Sequence, residues 1–244
     1  MQNLAVIAAL ALFLIVVWFL RSPTFKGALG EIRVQHSLRA LLNDNEYRLF
    51  HDLTLPARDG TTQIDHVIVS RFGVFVIETK NMKGWIFGSP DHAVWTQVVY
   101  RRKSKFQNPI RQNYKHVKAV QELLHVKANM VHGVVAFVGS GTPKSAMPLG
   151  VVWSVRSLAE FIKSKREVVL SEEQFRAFSE RLSTDDLKSN IRTRSAHVRH
   201  LKSEVASTCP RCGAPMVERT NRQSGTSFLS CSTFPQCKGT RMSS

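Results

Sequence analysis

The sequence predicts an α/β protein. A helical repeat of apolar residues over about 25–42 precedes two β-rich runs at 61–69 and 73–80. A second helix is expected after the cap-and-first-turn pair Asn108-Pro109, and the apolar run 131–138 is typical of a buried strand. Because helices and strands alternate within one medium-sized stretch, we expect one layered domain with a small appendage.

The charge of the chain favours a polyanionic partner. The 244 residues carry a formal net charge of +16 and have a pI near 10.2. A basic excess of this size indicates nucleic acid first and an anionic membrane surface second, and a merely solvated basic surface is the alternative. The basic residues are densest in the cluster 101–105 and over 192–244, where nine Lys or Arg face two acids.

The N-terminus predicts a membrane anchor. Leu4 to Leu20 is an uncharged apolar run, close to the shortest helix that spans a bilayer. A cleaved signal peptide is the alternative, but no basic residue precedes the run and no small-x-small site follows it. Arg21 and Lys26 follow the run, so the positive-inside rule predicts a single-pass protein of the cell inner membrane with its C-terminal domains in the cytoplasm.

The predicted first helix carries one acid on its buried face. Val34, Leu38 and Leu41 recur at helical spacing and define that face, and Glu31 falls on it. A carboxylate that points inward needs a salt bridge, a cap or a metal.

The two β-rich runs predict a hairpin that carries candidate catalytic side chains at one end. Glu78 and Lys80 face the same side of their strand, and Asp65 lies in the partner strand. Two acids and a lysine among apolar residues suit a divalent cation for phosphodiester hydrolysis, in which Lys80 positions water or stabilises the transition state. The alternative is that both acids end their strands in solvent and that Glu78 and Lys80 form a surface pair.

Neighbouring histidines and tryptophans are given structural or surface roles. His66 alternates with Asp65, so we expect it on the opposite side of the sheet in a hydrogen-bonded packing role. Lys115 and His116 are interpreted as solvated or phosphate-contacting, and Trp85 and Trp95 as core or sheet-covering residues.

Several of these segments together resemble the nuclease-related domain family, which is similar to the PD-(D/E)xK nuclease superfamily. The matching stretches are Gly27-Ala28-Leu29-Gly30-Glu31, Thr61-Thr62-Gln63-Ile64-Asp65-His66-Val67, residues 73–81, Trp95 and residues 107–113. The resemblance implies a restriction-endonuclease-like mixed sheet flanked by helices and a site for Mg²⁺ (or Mn²⁺). It implies Asp65 and Glu78 as metal carboxylates, Lys80 as the catalytic lysine, Glu31 as the completing acid and Gln112 as a polar neighbour. Ile64 stands where the superfamily has its namesake proline.

The four cysteines predict a zinc site. Cys209 and Cys212 form one close pair and Cys231 and Cys237 a second, in the arrangement by which two turns close a tetrahedron around Zn²⁺. Two disulfides are the alternative and would need an oxidising compartment.

The surrounding residues resemble the C-terminal C4 zinc ribbons of type IA topoisomerases, which are similar to single-strand binding modules. The resemblance implies that Phe228 and Phe234 stack on bases and that Arg219, Arg222, Lys238 and Arg241 contact phosphates. The alternative for the two phenylalanines is packing in the small core of the ribbon.

These features divide the chain into an anchor (1–22), a nuclease-like core (24–140), an extension of the core (141–183), a basic helical linker (184–205) and a zinc ribbon (206–244). The extension is expected to hold a loop over 139–150, a strand over 151–155 and a helix from the capping box at 171–174. The predicted function is a membrane-anchored nuclease acting on DNA rather than RNA. A non-catalytic nucleic-acid tether and a scaffold on anionic lipid are the alternatives.

Overall fold

The computed structural model describes residues 23–57, 60–188, 208–221 and 225–242. The helices of these residues are α1 (Pro23–Leu41), α2 (Pro109–Leu124), α3 (Val155–Ser164) and α4 (Glu172–Ser183), with 3₁₀ turns at Ala128–Met130 and Asp185–Leu187. The strands are β1 (Tyr47–Ala57), β2 (Gly60–Ser70), β3 (Gly73–Lys80), β4 (Gly84–Phe87), β5 (Val94–Val99), β6 (Arg102–Gln107), β7 (Val131–Phe137), β8 (Gly141–Pro143), β9 (Val151–Val152), β10 (Met216–Thr220), β11 (Ser227–Cys231) and β12 (Thr240–Met242).

A five-stranded mixed sheet forms the centre of the α/β domain, in the order β1-β2-β3-β7-β9. The first three strands are antiparallel neighbours, whereas β7 runs parallel to β3 and β9 parallel to β7. The predicted hairpin is therefore present as β2 and β3. Its turn ends at Gly73, whose φ of 130° suits glycine alone.

Helices cover both faces of this sheet, which confirms the predicted α/β class. On one face, Val34 of α1 and Leu158 of α3 belong to the same buried cluster as Phe75 of β3. On the other face, Val120 of α2 and Phe175 of α4 share a buried cluster with β3. Because β3 and β7 are buried on both sides, most of their residues are apolar and do not alternate with polar ones.

The first helix begins at Pro23 and differs at its end from the prediction. Val34 and Leu38 are fully buried, but Leu41 is 37% exposed, and Leu42 is buried in its place. Leu42 donates its backbone N–H to Leu38 O, so it lies one turn above Leu38 and continues the buried stripe.

The extension of the core contains a helix that the sequence analysis did not predict. The strand expected over 151–155 ends at Val152, and Ser154 caps α3 by accepting a hydrogen bond from Ser157 N–H. The predicted loop 139–150 contains the short strand β8. The predicted capping box is present at the start of α4, where both of its hydrogen bonds form.

A second sheet, in the order β6-β5-β4-β8, packs beside the first. Trp95 of β5 is fully buried, as predicted, and lies against Phe106 and Phe137. Trp85, expected in the core or over a sheet, is 53% exposed, with Lys144 Nζ 5.0 Å from its ring centroid. The basic cluster 101–105 falls largely on β6, the edge strand.

Within these described ranges, no helix has the length and apolar character that a membrane span requires. The predicted anchor, residues 1–22, lies outside the described residues, as do residues 189–205 of the predicted linker.

Candidate functional sites

Asp65 and Glu78 lie on one side of the central sheet at the end of the hairpin. The ladder pairs His66 with Ile77, so the next step of the antiparallel register sets Asp65 opposite Glu78. Asp65 Oδ2 accepts a hydrogen bond of 2.6 Å from the backbone N–H of Thr79. Carboxyl groups from both arms of the hairpin therefore meet at one place.

Glu78 is buried and is held by two donors. Lys80 Nζ donates to its Oε1 at 2.5 Å, and His116 Nε2 lies 3.1 Å from its Oε2. Burial alone would raise the pKa of Glu78, but the charge of Lys80 and the hydrogen bond from His116 outweigh burial and lower that pKa to about 2. The carboxylate is therefore ionised at neutral pH.

Lys80 is fixed in place by two acceptors. Its Nζ also donates to Gln112 Oε1 at 3.1 Å. Burial would lower the pKa of Lys80, but the charge of Glu78 and the hydrogen bond to it, followed by the charges of Asp65 and Glu31, raise that pKa. The side chain keeps 22% of its surface exposed, and its ammonium group is charged and held in one orientation by these two contacts.

The pKa of Asp65 is shifted in the opposite direction from that of Glu78. Burial and then the negative charges of Glu78 and Glu31 raise the pKa of Asp65 well above 3.8, against the charge of Lys80 and the hydrogen bond from Thr79. The surroundings therefore disfavour the charged form of Asp65, and a cation bound beside it would stabilise the carboxylate.

Gly30 allows α1 to carry Glu31 close to this site. A Cβ atom on Gly30 would lie 2.6 Å from Asn81 Cβ, too close for two carbon atoms, and Asn81 directly follows Lys80. A Cβ on Gly27, one turn earlier, would meet no atom within 4 Å. The absent side chain at residue 30 thus sets the distance between α1 and the end of β3.

Helix α2 supplies Gln112 and His116 from one face, since the two residues are four apart. Asn108 caps the helix by accepting hydrogen bonds from two backbone N–H groups of the first turn. Asn113, on the following turn, donates its Nδ2 to carbonyl oxygens of β3 and β7 at 3.0 and 3.1 Å. These contacts fix both the rotation of α2 and its distance from the sheet.

His116 is the site residue that the sequence analysis missed. It was predicted to be solvated or phosphate-contacting, but it is 2% exposed and contacts Glu78. Its Nδ1 lies 2.7 Å from the hydroxyl of Thr62. Since a carboxylate only accepts, Nε2 carries the proton, and Nδ1 is hydrogen-bonded to the Thr62 hydroxyl. The sequence feature that could have identified it is the four-residue spacing from Gln112, which puts both side chains on one face of the helix.

His66 lies on the opposite side of the sheet from Asp65, among the apolar residues under α1. It is 1% exposed, but neither ring nitrogen has a hydrogen-bond partner among the described residues, contrary to the predicted hydrogen-bonded role. Burial and the neighbouring His51 lower the pKa of His66 to about 4. The ring is therefore a neutral packing residue at neutral pH.

The acidic site fits a hard divalent cation. Asp65 and Glu78 supply two carboxylates, and a carboxylate oxygen that accepts one hydrogen bond still has a lone pair for a cation. Magnesium is usually held in this way, by one or two carboxylates with water and phosphate oxygens in the other positions.

The four cysteines form a second, denser cluster. Their Sγ atoms all lie within 4.8 Å of one another, with Cys209 and Cys237 at 3.7 Å and Cys212 and Cys231 at 3.4 Å. A zinc ion with bonds of about 2.3 Å sets tetrahedral sulfurs about 3.8 Å apart. The spacing fits Zn²⁺ and excludes disulfides in this arrangement. Gly239 is required beside it, because a Cβ there would lie 2.3 Å from Cys209 Sγ.

The predicted nucleic-acid residues that the structure describes lie on the small sheet β10-β11-β12 and next to it. Phe234 is 50% exposed and stands 5.6 Å from the guanidinium carbon of Arg219, so it is a surface aromatic. Phe228 is partly buried, and Lys238 is exposed. Arg222 lies outside the described residues.

Comparison with known proteins assigns both parts of the chain. Residues 26–138 match the family described as the nuclease-related domain, and residues 206–243 match the topoisomerase DNA binding C4 zinc finger. An uncharacterized protein of Bacillus anthracis is 48% identical over 103 residues, which cover 42% of this chain and 48% of that protein. The chain thus spans about half the length of this curated relative. Residues 26–138 are thus similar to the nuclease-related domain family, and residues 206–243 are similar to the topoisomerase-type C4 zinc ribbon.

Proposed function

We propose that this chain is a metal-dependent nuclease of the restriction-endonuclease type that hydrolyses phosphodiester bonds in DNA with Mg²⁺ or Mn²⁺. The observation that carries the proposal is the convergence of Asp65, Glu78 and Lys80 on one side of the hairpin, where burial and the charges of Glu78 and Glu31 raise the pKa of Asp65. The match to the nuclease-related domain family supports it.

Each residue of the site has a distinct part in this proposal. Asp65 and Glu78 hold the cation, which when bound supplies a more acidic water and neutralises charge on the phosphate. Lys80, oriented by Gln112 and by Glu78, holds the attacking water or the developing charge on a phosphate oxygen. Glu31 adds negative charge from α1.

His116 acts through Glu78. Thr62 orients the imidazole, and the imidazole donates to one carboxylate oxygen. The second oxygen of Glu78 receives Lys80. This arrangement holds the carboxylate in one orientation and keeps it ionised, which metal binding requires.

The zinc ribbon supplies affinity for the nucleic acid. Zinc holds the four cysteines together, and the exposed Phe234 beside Arg219 offers a base-stacking surface with a cation next to it. Phe228, Lys238 and Arg241 extend the proposed contact surface around this pair, and Arg222, outside the described residues, is proposed as a further phosphate contact.

The apolar run at residues 4–20 is proposed to anchor the protein in the cell inner membrane, with the catalytic domain and the ribbon in the cytoplasm. Nucleic acid and reduced cysteines occur together in that compartment.

The experiment is hydrolysis of plasmid and single-stranded DNA by the full-length chain, with and without Mg²⁺. The Glu78→Ala/Lys80→Ala double variant is expected to lose cleavage and to keep its zinc. Equal cleavage by the wild type and the double variant would refute the proposal.

One observation favours a second candidate, a non-catalytic nucleic-acid tether. Both oxygens of Glu78 already have protein partners, so this carboxylate is satisfied without a metal. Calorimetry distinguishes the candidates, because a tether binds DNA with a steep salt dependence but does not bind Mg²⁺ at Asp65 and Glu78.

A further inference from the structure

The zinc ribbon packs against the α/β domain next to the helix that carries the acidic site. Arg111 of α2 links the two parts. Its Nη1 donates to Cys212 O of the ribbon at 3.1 Å, and its Nη2 donates to Asp91 O of its own domain at 2.5 Å. Ala93 N–H donates to Arg211 O at 3.5 Å. Both oxygens that Arg111 holds are backbone carbonyls, so no carboxylate neutralises the guanidinium in these contacts.

The close approach depends on Gly213 in the ribbon. A Cβ atom there would lie 3.1 Å from Arg111 Nη1 and 3.4 Å from Ala93 Cβ. Gly213 also has a φ of 81°, which glycine adopts at little cost. The same glycine therefore turns the chain after Cys212 and makes room for the domain contact.

A cleft of about 390 Å³ lies between the two parts. Its cationic lining comes from both sides and contains no aspartate or glutamate. The lining cations are Lys105, Arg111 and Lys115 of the α/β domain and Arg241 of the ribbon. Phe106 and Pro210 give the cleft apolar walls. Cations combined with apolar walls suit a nucleotide strand, whose phosphates contact the former and whose sugars and bases contact the latter.

The cleft and the acidic site share helix α2. Arg111 and Lys115 are four residues apart and line the cleft, whereas Gln112 and His116, each one residue further along, face the acidic site. A helix is about 10 Å across with its side chains. That width corresponds to roughly three nucleotides along a strand at duplex spacing.

We propose that this cleft binds the phosphate backbone of a single nucleic-acid strand and delivers that strand to the acidic site across α2. The proposal rests on the proposed nuclease function for its last step only, because the cleft can bind a strand whether or not the acidic site cleaves it. A single strand is the expected ligand, since the cleft is small and its apolar walls need bases that are not already stacked in a duplex.

The test compares two double variants of the full-length protein. Lys105→Gln/Lys115→Gln removes two charges from the cleft. Lys163→Gln/Arg166→Gln removes two charges in and just after α3, across the sheet from α2, and is the matched control. Binding of a short fluorescent single strand is measured by anisotropy at several salt concentrations without Mg²⁺ or Mn²⁺.

The cleft variant is expected to bind about tenfold more weakly and to show a shallower dependence of log affinity on log salt, by about 1.4 for two lost phosphate contacts. The control is expected to match the wild type. Equal affinity and slope in the cleft variant and the control would overturn the proposal, and tighter binding of a duplex of the same sequence would overturn the assignment to a single strand.

Hydrolysis of bis(para-nitrophenyl) phosphate separates this proposal from the nuclease function, because so small a diester needs no cleft. The cleft variant is expected to hydrolyse this diester with Mg²⁺ as the wild type does. If the wild type cleaves neither this diester nor DNA while the binding difference persists, the nuclease function fails and the cleft assignment holds. If the wild type cleaves both substrates and the cleft variant binds the strand with the same affinity and salt slope as the control, the cleft assignment fails and the nuclease function holds.

Discussion

Neutralising Glu78 and neutralising Asp65 should change stability in opposite directions, although both acids belong to one site. Folding lowers the pKa of Glu78 from 4.5 to about 2, and each tenfold change in proton affinity is worth about 1.4 kcal/mol. Ionised Glu78 therefore contributes about 3 kcal/mol at neutral pH. This contribution is complete above pH 4.5 and is lost as the pH falls toward 2; by about pH 3 it has decreased by about 2 kcal/mol.

Asp65 has a folded-state pKa above its unfolded value. Its contribution to stability is therefore present below pH 3.8 and is lost as the pH rises through the folded-state pKa, so that this residue is a net cost to stability at pH 7. Asparagine would remove the charge while its Oδ1 still accepts the hydrogen bond from Thr79.

The assay is urea unfolding of the full-length protein without Mg²⁺ or Mn²⁺, followed by tryptophan fluorescence from pH 7 to about pH 3. Because acid releases zinc from its thiolates, each variant is compared with the wild type at the same pH. At pH 7, Glu78→Gln is expected to be about 3 kcal/mol less stable than the wild type, and that difference should shrink by about 2 kcal/mol at about pH 3. Asp65→Asn is expected to be more stable than the wild type at pH 7 and to lose its advantage in acid. Differences of the same sign in both variants, or differences independent of pH, would refute this account of the site.

Three further predictions follow from the packing around the site. Gly30→Ala should destabilise the protein by about 1–3 kcal/mol and weaken Mg²⁺ binding, because α1 must shift away from Asn81. The control is Gly27→Ala in the same helix, where a Cβ meets open space; it should be neutral or stabilising by up to about 1 kcal/mol. Equal effects of the two substitutions in thermal unfolding would contradict the contact between Gly30 and Asn81. His116→Ala should raise the pKa of Glu78, so the acid limb of the pH–rate profile should move to higher pH; an unmoved limb would mean that the imidazole does not hold the carboxylate. Cys209→Ser should lower bound zinc from one ion per chain, measured with a colorimetric chelator, and leave the urea midpoint of the α/β domain unchanged; full zinc retention would exclude this thiolate as a ligand.

The hairpin could be predicted from sequence because its signals are local. Alternation along β2 and β3 sets which side each residue faces, and the glycine at residue 73 marks the turn, so the meeting of residues 65, 78 and 80 follows from register alone. The cysteine spacing is equally local, and it predicted the cluster that the four sulfurs form.

Other features depend on packing between distant segments and left weaker signals. The burial of His116 results from the amide of Asn113, which fixes how α2 is rotated against two strands that lie far from it in the sequence. Strand β1 was not predicted because Asp52, with a φ of 53°, interrupts its alternation. The contact between Arg111 and the ribbon joins residues about a hundred positions apart, so no local sequence pattern predicts it.

The amide of Asn108 has a consequence for how the two parts of the chain could have been joined. Its Nδ2 lies within 3.2 Å of three carbonyl oxygens in the loop 89–92, while its Oδ1 caps α2. The α/β domain alone therefore shapes the loop that offers Asp91 O to Arg111 and the Ala93 N–H to the ribbon. The surface that contacts the ribbon is therefore held by hydrogen bonds within the α/β domain. A zinc module could be gained, lost or exchanged at this surface without a change in the acidic end of the hairpin.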